Sequence, residues 1–268
     1  MGVMRILCLH GADSSGRIFQ SELASTLSIL QHSIANLSFD FADGPLQSSA
    51  HATGNSSQDN QSRYKFYEAL EVKDIRKAHK WLTTKLLQSG PYDGVIAFSH
   101  GAVLVSSYLL YQQWYEHESL PPFRFAAFIS GNVSLKVLKD LGVTIPDKAE
   151  RVVAEAEVQY LQGLGPLLAH ATRARRAVFD SDDCFGLNLN SIPLELKIRI
   201  PTVHVWGERD PMLPASVQLA GLCDPYIRKI HIHSGAHEVP LNEEPPDELA
   251  AMLEWCAQRA TWPGQTQV

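Results

Sequence analysis

The sequence has no uninterrupted apolar stretch approaching the ~18 residues that a membrane-spanning helix needs, so no membrane partner is expected. It has no run of lysines or arginines either. Net charge is −6 and the pI is near 6.0. Nucleic-acid binding calls for a basic patch, and none is expected here. Cysteine is scarce. Cys8, Cys184, Cys223 and Cys256 are scattered, without the paired spacing of a metal site or a disulfide framework. They read as reduced thiols of a cytoplasmic protein. The first apolar run, 6–9, is too short for a signal peptide and is not followed by a cleavage site. Gly2 would suit N-myristoylation, but Ile6 stands where that signal needs serine or threonine.

What is present is the make-up of a globular α/β chain. Of 268 residues, 45% are hydrophobic and 19% charged, an ordinary balance for a packed domain. The expectation is one α/β domain over 1–268, with no internal repeat and no domain-scale linker. Apolar runs at 6–9 and 125–129 are continuous, as in strands covered on both faces of a parallel sheet, and the sheet resumes at 202–206. Looser runs at 34–41 and 227–232 read as further strands. Phe19, Leu23, Leu27 and Leu30 recur at helical spacing, as do Val72, Ile75, Ala78, Leu82 and Leu86 in a pattern that begins near Tyr64. A last helix is expected over 247–259, with a frayed tail after it.

Two stretches interrupt this rhythm. Residues 42–61 are polar and too long for an ordinary connection. They read as a mobile flap at the edge of a site or as a disordered loop. Residues 133–200 hold helical patches at 149–161 and 167–178 but no clear strand. They read as a lid-like helical insertion above the sheet. Arg173, Arg175 and Arg176 in it suit a solvated helix face or an acidic partner.

The chemistry is concentrated at 94–101, Gly-Val-Ile-Ala-Phe-Ser-His-Gly. An apolar strand stops at Ser99, and a helical pattern resumes at Ala102. A strand, a sharp turn and a helix with serine at the apex form a nucleophile elbow, in which small residues flank the serine two positions away. Here those residues are Ala97 and Gly101. Asp210 follows the 202–206 strand, and His237 follows the 227–232 strand. Residues just past the C-terminal ends of parallel strands converge on one edge. The order Ser99, Asp210, His237 is the order of α/β-hydrolase triads. His237 would take the proton of Ser99, and Asp210 would hold the imidazole tautomer. The backbone N–H groups of Ala12, in the small-residue loop after the first strand, and of His100 would bind the oxyanion. Asp40 and Asp93 are rival carboxylates, but Asp93 precedes its strand and should fall at the wrong end. His10 is placed to order the oxyanion loop. His100 lines the pocket mouth or lies at the surface. His231 and His233 alternate on an edge strand with no third ligand spaced for a metal, so no metal site is expected.

With these residues in hand, the chain resembles the fungal FSH family of serine hydrolases, related to the mammalian ovarian-cancer-gene-2-type hydrolases. The likeness rests on Leu9-His10-Gly11, on Pro91-Tyr92-Asp93-Gly94 leading into Phe98-Ser99-His100-Gly101-Ala102, and on Ile129-Ser130-Gly131. It continues through Gly207-Glu208-Arg209-Asp210-Pro211 and Gly235-Ala236-His237-Glu238-Val239-Pro240. Two departures are Ala97 in place of the first elbow glycine and His100 in place of a frequent glutamine. The resemblance implies an α/β-hydrolase fold with a mostly parallel central sheet flanked by helices, and no cofactor. It also implies a thioesterase that frees an acyl chain from the acyl carrier protein of a polyketide synthase. A carboxylesterase acting on small free esters is the competing expectation.

Overall fold

Short apolar runs become the strands of one parallel sheet, and the period of two along each strand decides which helices cover it. The computed structural model describes residues 3–34, 36–48, 62–116, 119–167, 169–170, 182–240 and 247–260. Its strands are β1 (Met4–Leu9), β2 (Leu37–Ala42), β3 (Leu46–Gln47), β4 (Tyr64–Lys65), β5 (Gly94–Phe98), β6 (Phe125–Ile129), β7 (Thr202–Gly207) and β8 (Arg228–His233). Its helices are α1 (Gly16–Glu22), α2 (Ala24–Ser33), α3 (Val72–Ser89), α4 (His100–Tyr115), α5 (Leu135–Asp140), α6 (Asp147–Leu161), α7 (Leu213–Gly221) and α8 (Asp247–Arg259).

Six strands pair in the order β2-β1-β5-β6-β7-β8, all parallel. Alternate residues of β1 enter different cores. Leu7 and Leu9 join Val95, Ala97, Ala126 and Phe128 on the face covered by α3, α4, α5 and α7. Ile6 and Cys8 join Ile96, Ala127, Val203 and Val205 on the face covered by α1, α2 and α8. Burial on both faces is why these strands read as continuous apolar runs. The consequence for function is geometric. All six carboxyl ends point to one edge, which gathers the ends of β1, β5, β7 and β8.

The structure departs from the sequence pattern in three places. The expected helix through Phe19 and Leu30 is two helices, broken at Leu23, whose backbone leaves the helical region at φ −91°, ψ 1°. Ser15 caps the first of them, its hydroxyl accepting the Ile18 N–H at 3.2 Å. The helical pattern read from Tyr64 starts only at Val72. Tyr64 and Lys65 instead pair antiparallel with Leu46 and Gln47, and Phe66 and Tyr67 then turn into the core. That pairing also puts a small two-stranded ribbon at the start of the polar 42–61 stretch. Residues 49–61 lie outside the described residues, and with them most of the expected flap.

The insertion is not detached from the core. Val137 and Leu138 near its start, and Phe185, Leu187, Leu189, Leu196 and Ile198 near its end, are buried in the main cluster. Between them α6 packs Ala156 against Met212 and Ala215 of the β7–α7 region. Arg173, Arg175, Arg176 and most of the expected 167–178 helix lie outside the described residues, as does the expected tail after 260. Among the described residues no helix is long and apolar enough to cross a membrane, and no group of three or more His, Cys, Asp or Glu is placed to hold a metal ion. His231 and His233 lie on β8, the edge strand, and His231 approaches Glu248 at 3.5 Å.

Several histidines are held neutral by burial. His204, on β7, is 1% exposed and stacks with Phe128. Burial, helped by the Arg228 charge, pushes it down from 6.5 to about 3. Burial pushes His79 to about 4, helped by Arg76. The unfolded chain therefore binds protons at these sites before the folded protein does, and their contribution lowers stability as pH falls below 6.5. Urea unfolding at pH 7.5, 6 and 5 is expected to show this loss. In His204→Leu the slope below pH 6.5 should be shallower by about 1.4 kcal/mol per pH unit. An unchanged slope would refute the assignment.

Candidate active site

The site begins with a backbone that a side chain rarely adopts. Ser99 closes β5 at φ 47°, ψ −106°. Such a conformation costs about 1–3 kcal/mol and persists only where neighbours impose it. They do so here. The Ser99 N–H donates to Ile129 O at 2.9 Å, and the Ser99 carbonyl accepts the Val103 N–H at 3.0 Å in the first turn of α4. Gly101 N–H donates to His10 O at 3.1 Å. A Cβ on Gly101 would lie 2.7 Å from Leu9 O and 2.9 Å from His10 O. Glycine is therefore required where α4 meets the end of β1.

The acid and the base come from two loops laced together. Glu208 N–H donates to His233 O at 2.7 Å, and Arg209 N–H donates to Gly235 O at 2.9 Å. Asp210 is fully buried. One of its oxygens accepts the Met212 N–H at 2.8 Å, and both lie 3.0 Å from His237 Nδ1. A carboxylate offers only acceptors, so Nδ1 carries the proton and Nε2 is left as acceptor. Nε2 lies 2.8 Å from Ser99 Oγ. The structure thus brings together Ser99, Asp210 and His237, residues spread over most of the chain. The arrangement can deprotonate a hydroxyl as it attacks, which is the requirement of acyl transfer.

The loop after β1 forms the opposite wall. Gly11 packs so closely that a Cβ there would meet the Phe98 ring at 2.9 Å and Ser99 Cβ at 3.6 Å. His10 is fully buried and orders this loop as the sequence suggests. Its Nδ1–H donates to Gly11 O at 2.6 Å, and its Nε2 accepts the Gly44 N–H at 3.0 Å. Among the described residues, neither the Ala12 N–H nor the His100 N–H is given to an internal acceptor. Both follow directly on Gly11 and Ser99 in the chain.

His100 proves to be packed rather than at the surface. Its ring stacks on Tyr67 at 3.6 Å between centroids, and its Nδ1 accepts the Phe66 N–H at 3.3 Å. Burial pushes it to about 3, with the His10 and Lys65 charges helping. It is a neutral wall of the site. The rival carboxylates are engaged elsewhere. Asp93 accepts from Arg5 N–H and Arg124 Nη1, both at 2.9 Å, beside the start of β5. Asp40 accepts the Tyr92 hydroxyl and pairs with Lys85 at 3.0 Å. A second serine–histidine pair, Ser107 with His79 at 2.8 Å, is inert as a nucleophile because the Ser107 hydroxyl proton goes to Leu104 O at 2.9 Å.

Residues that sequence reasoning missed are Tyr67, on His100, and Tyr160. The Tyr160 ring from α6 meets His237 at 4.8 Å between centroids. Their spacing carries no signal for this, because the contacts cross between distant elements.

The model of the serine hydrolase (FSH1) family matches residues 2–248. Among curated proteins, the chain is similar to esterase FPY3 of Fusarium mangiferae. The two are 26% identical over 96% of this chain and 98% of that protein. It is 27% identical to esterase alnB of Emericella nidulans, over 96% and 97% of the two chains. In fold it is similar to the crystal structure of esterase PE8, with TM-score 0.53 and 15% identity over 95% and 93% of the chains. It is likewise similar to the Bacillus cereus carboxylesterase, with TM-score 0.52 and 14% identity over 97% and 89%. The fold is that of the α/β-hydrolases.

The tight contact under His237 gives a test. A Cβ on Gly207 would lie 2.3 Å from both Gly235 O and Ala236 O. These are backbone atoms that can move only by shifting the loop that carries His237. Gly207→Ala is expected to stay folded by circular dichroism while kcat/KM for an activated ester falls by about 10²-fold. Wild-type activity in the folded variant would show that the loop position does not matter.

Proposed function

The chain belongs to the FSH1 serine hydrolase family, and we propose that it cleaves an acyl thioester on the acyl carrier protein of a polyketide synthase. The observation that carries the hydrolytic part is the unbroken relay from Asp210 through His237 to Ser99 Oγ, at 3.0 and 2.8 Å. In this reading Ser99 Oγ attacks the acyl carbon while its proton passes to His237 Nε2. Asp210 stabilises the imidazolium. The N–H groups of Ala12 and His100 bind the oxyanion, and losing one such donor costs about 10²-fold or more in rate. Collapse of the tetrahedral intermediate expels the thiol, which leaves with the proton from Nε2. Water then repeats the sequence on the acyl-enzyme, yielding the free acid and Ser99. The chemistry needs no cofactor. A thiolate leaves easily, which lightens the demand on His237 as acid.

The carrier-bound substrate is supported by the family resemblance and by the fungal sources of relatives such as hydrolase FUB4 of Fusarium oxysporum f. sp. lycopersici. The buried cysteines Cys8, Cys184, Cys223 and Cys256 suit a reducing cytoplasm, the compartment we propose. The second reading, a carboxylesterase on small free esters, is favoured by the names of the relatives FPY3 and alnB, which are called esterases.

Two measurements test this. Ser99→Ala is expected to lose about 10⁴-fold or more of its activity and all labelling by a fluorophosphonate. Undiminished turnover by the variant would remove Ser99 from the mechanism. Single-turnover incubation with carrier-bound thioesters and matched oxygen esters, read by intact mass, then separates the substrates. Preference for carrier-bound chains supports off-loading, and fast cleavage of short free esters with indifference to the carrier supports the esterase reading.

A further inference from the structure

The insertion supplies one polar group that neither the triad nor the oxyanion donors use. Tyr160 stands in the last turn of α6, and its ring meets the His237 imidazole edge to face. Among the described residues Phe98 is the other ring against that imidazole, at 5.6 Å. Among the described residues the Tyr160 hydroxyl has no hydrogen-bond partner. The residue is 45% exposed, so the hydroxyl is open to a ligand. Burial raises its pKa, and the charges of Asp210 and Asp13 add to the effect. These two carboxylates belong to opposite walls, Asp210 behind His237 and Asp13 on the loop after β1. Raised in this way, the hydroxyl remains a protonated donor through the working pH range.

A tyrosine ring against the imidazole is informative because of what must come there. Once Ser99 and His237 act as assigned above, on which this inference rests, the leaving heteroatom has to reach His237 Nε2 to collect its proton. The acyl oxygen is turned to the other wall, towards Ala12 and His100. The side of the cleft that Tyr160 covers is therefore the leaving-group side. Its neighbours Val158, Leu161 and Leu164 are exposed and apolar, and Tyr160 is the residue of this stretch whose ring touches His237. A thioester or ether sulfur is a weak acceptor, so the partner is an oxygen further along the leaving group.

We propose that Tyr160 is a specificity-determining residue whose hydroxyl donates to an amide carbonyl in the leaving arm, selecting esters and thioesters with an amide-bearing arm over those with a plain alkyl leaving group. The test compares kcat/KM for 2-acetamidoethyl and ethyl thioesters of one acyl group, and for the corresponding pair of oxygen esters. Wild type is expected to favour the amide-bearing member of each pair. In Tyr160→Phe that preference should fall by about 5–10-fold, the worth of one neutral hydrogen bond. Tyr160→Ala, which also removes the ring from His237, should lower both members of each pair further. A wild-type protein without the preference, or a Tyr160→Phe variant that keeps it, overturns the proposal. Fluorophosphonate labelling of Ser99, run alongside, separates this failure from a failure of the triad assignment. Because the oxygen-ester pair reports the same ratio, the outcome does not depend on whether thioesters are the preferred substrates.

Discussion

Ser99 sits in a left-handed backbone conformation that a side-chain-bearing residue adopts only under constraint, and the surrounding structure can be understood as what imposes it. The turn must leave β5 and enter α4 within one residue, so α4 begins pressed against the end of β1. Gly101 makes that approach possible, because any Cβ there would fall on the Leu9 and His10 carbonyls. The constraint passes on to the loop after β1. That loop is fixed in turn by buried His10, which holds Gly11 O with one ring nitrogen and the Gly44 N–H with the other. The strain at the serine is thus offset by packing two strands away.

The same logic explains the unusual number of neutral histidines near the sheet. A histidine that bridges two backbone groups, as His10 does, can donate and accept only while uncharged. His100 accepts from the Phe66 N–H and lies flat on Tyr67, an arrangement that protonation would disrupt. Burial keeps both below their ordinary titration range. His237 differs in kind. Its Nδ1 faces a buried carboxylate that welcomes a positive charge on the ring, and its ring borders Tyr160 on the partly open side. One residue type therefore serves as fixed scaffold at two positions and, in the proposed function, as the proton carrier at a third. Its neighbours decide which.

The sequence discloses what depends on local pattern. Continuous apolar runs mark β1, β5 and β6 because both faces of a parallel sheet are covered. The last helix is legible to the residue because its apolar face repeats regularly over 247–259. The meeting of Ser99, Asp210 and His237 is legible because the topology sends strand ends to one edge. What stays hidden is decided by distant contacts. Tyr64 and Lys65 become a strand because Leu46 and Gln47 lie beside them, and nothing between 64 and 72 announces that partner. The helix expected through Leu23 breaks where its apolar spacing continues undisturbed. The insertion reads as a lid because it lacks strands, yet both its ends are core. Tyr160 carries no signal because its partner, His237, is brought to it by the fold alone.

The motif's one departure is instructive for the same reason. The elbow pattern places small residues on both sides of the serine, but the two flanks are not equally constrained here. Ala97 lies within β5, level with Leu9 and Phe128 in the sheet register, and its methyl group is part of the core that α4 covers. Gly101 has backbone oxygens within 3 Å of where a methyl group would stand. The first flank asks for a side chain that fits a core, which alanine does. The second asks for no side chain at all. The departure from the motif thus falls on the flank where this structure has room for it, and the glycine is kept where two main chains touch.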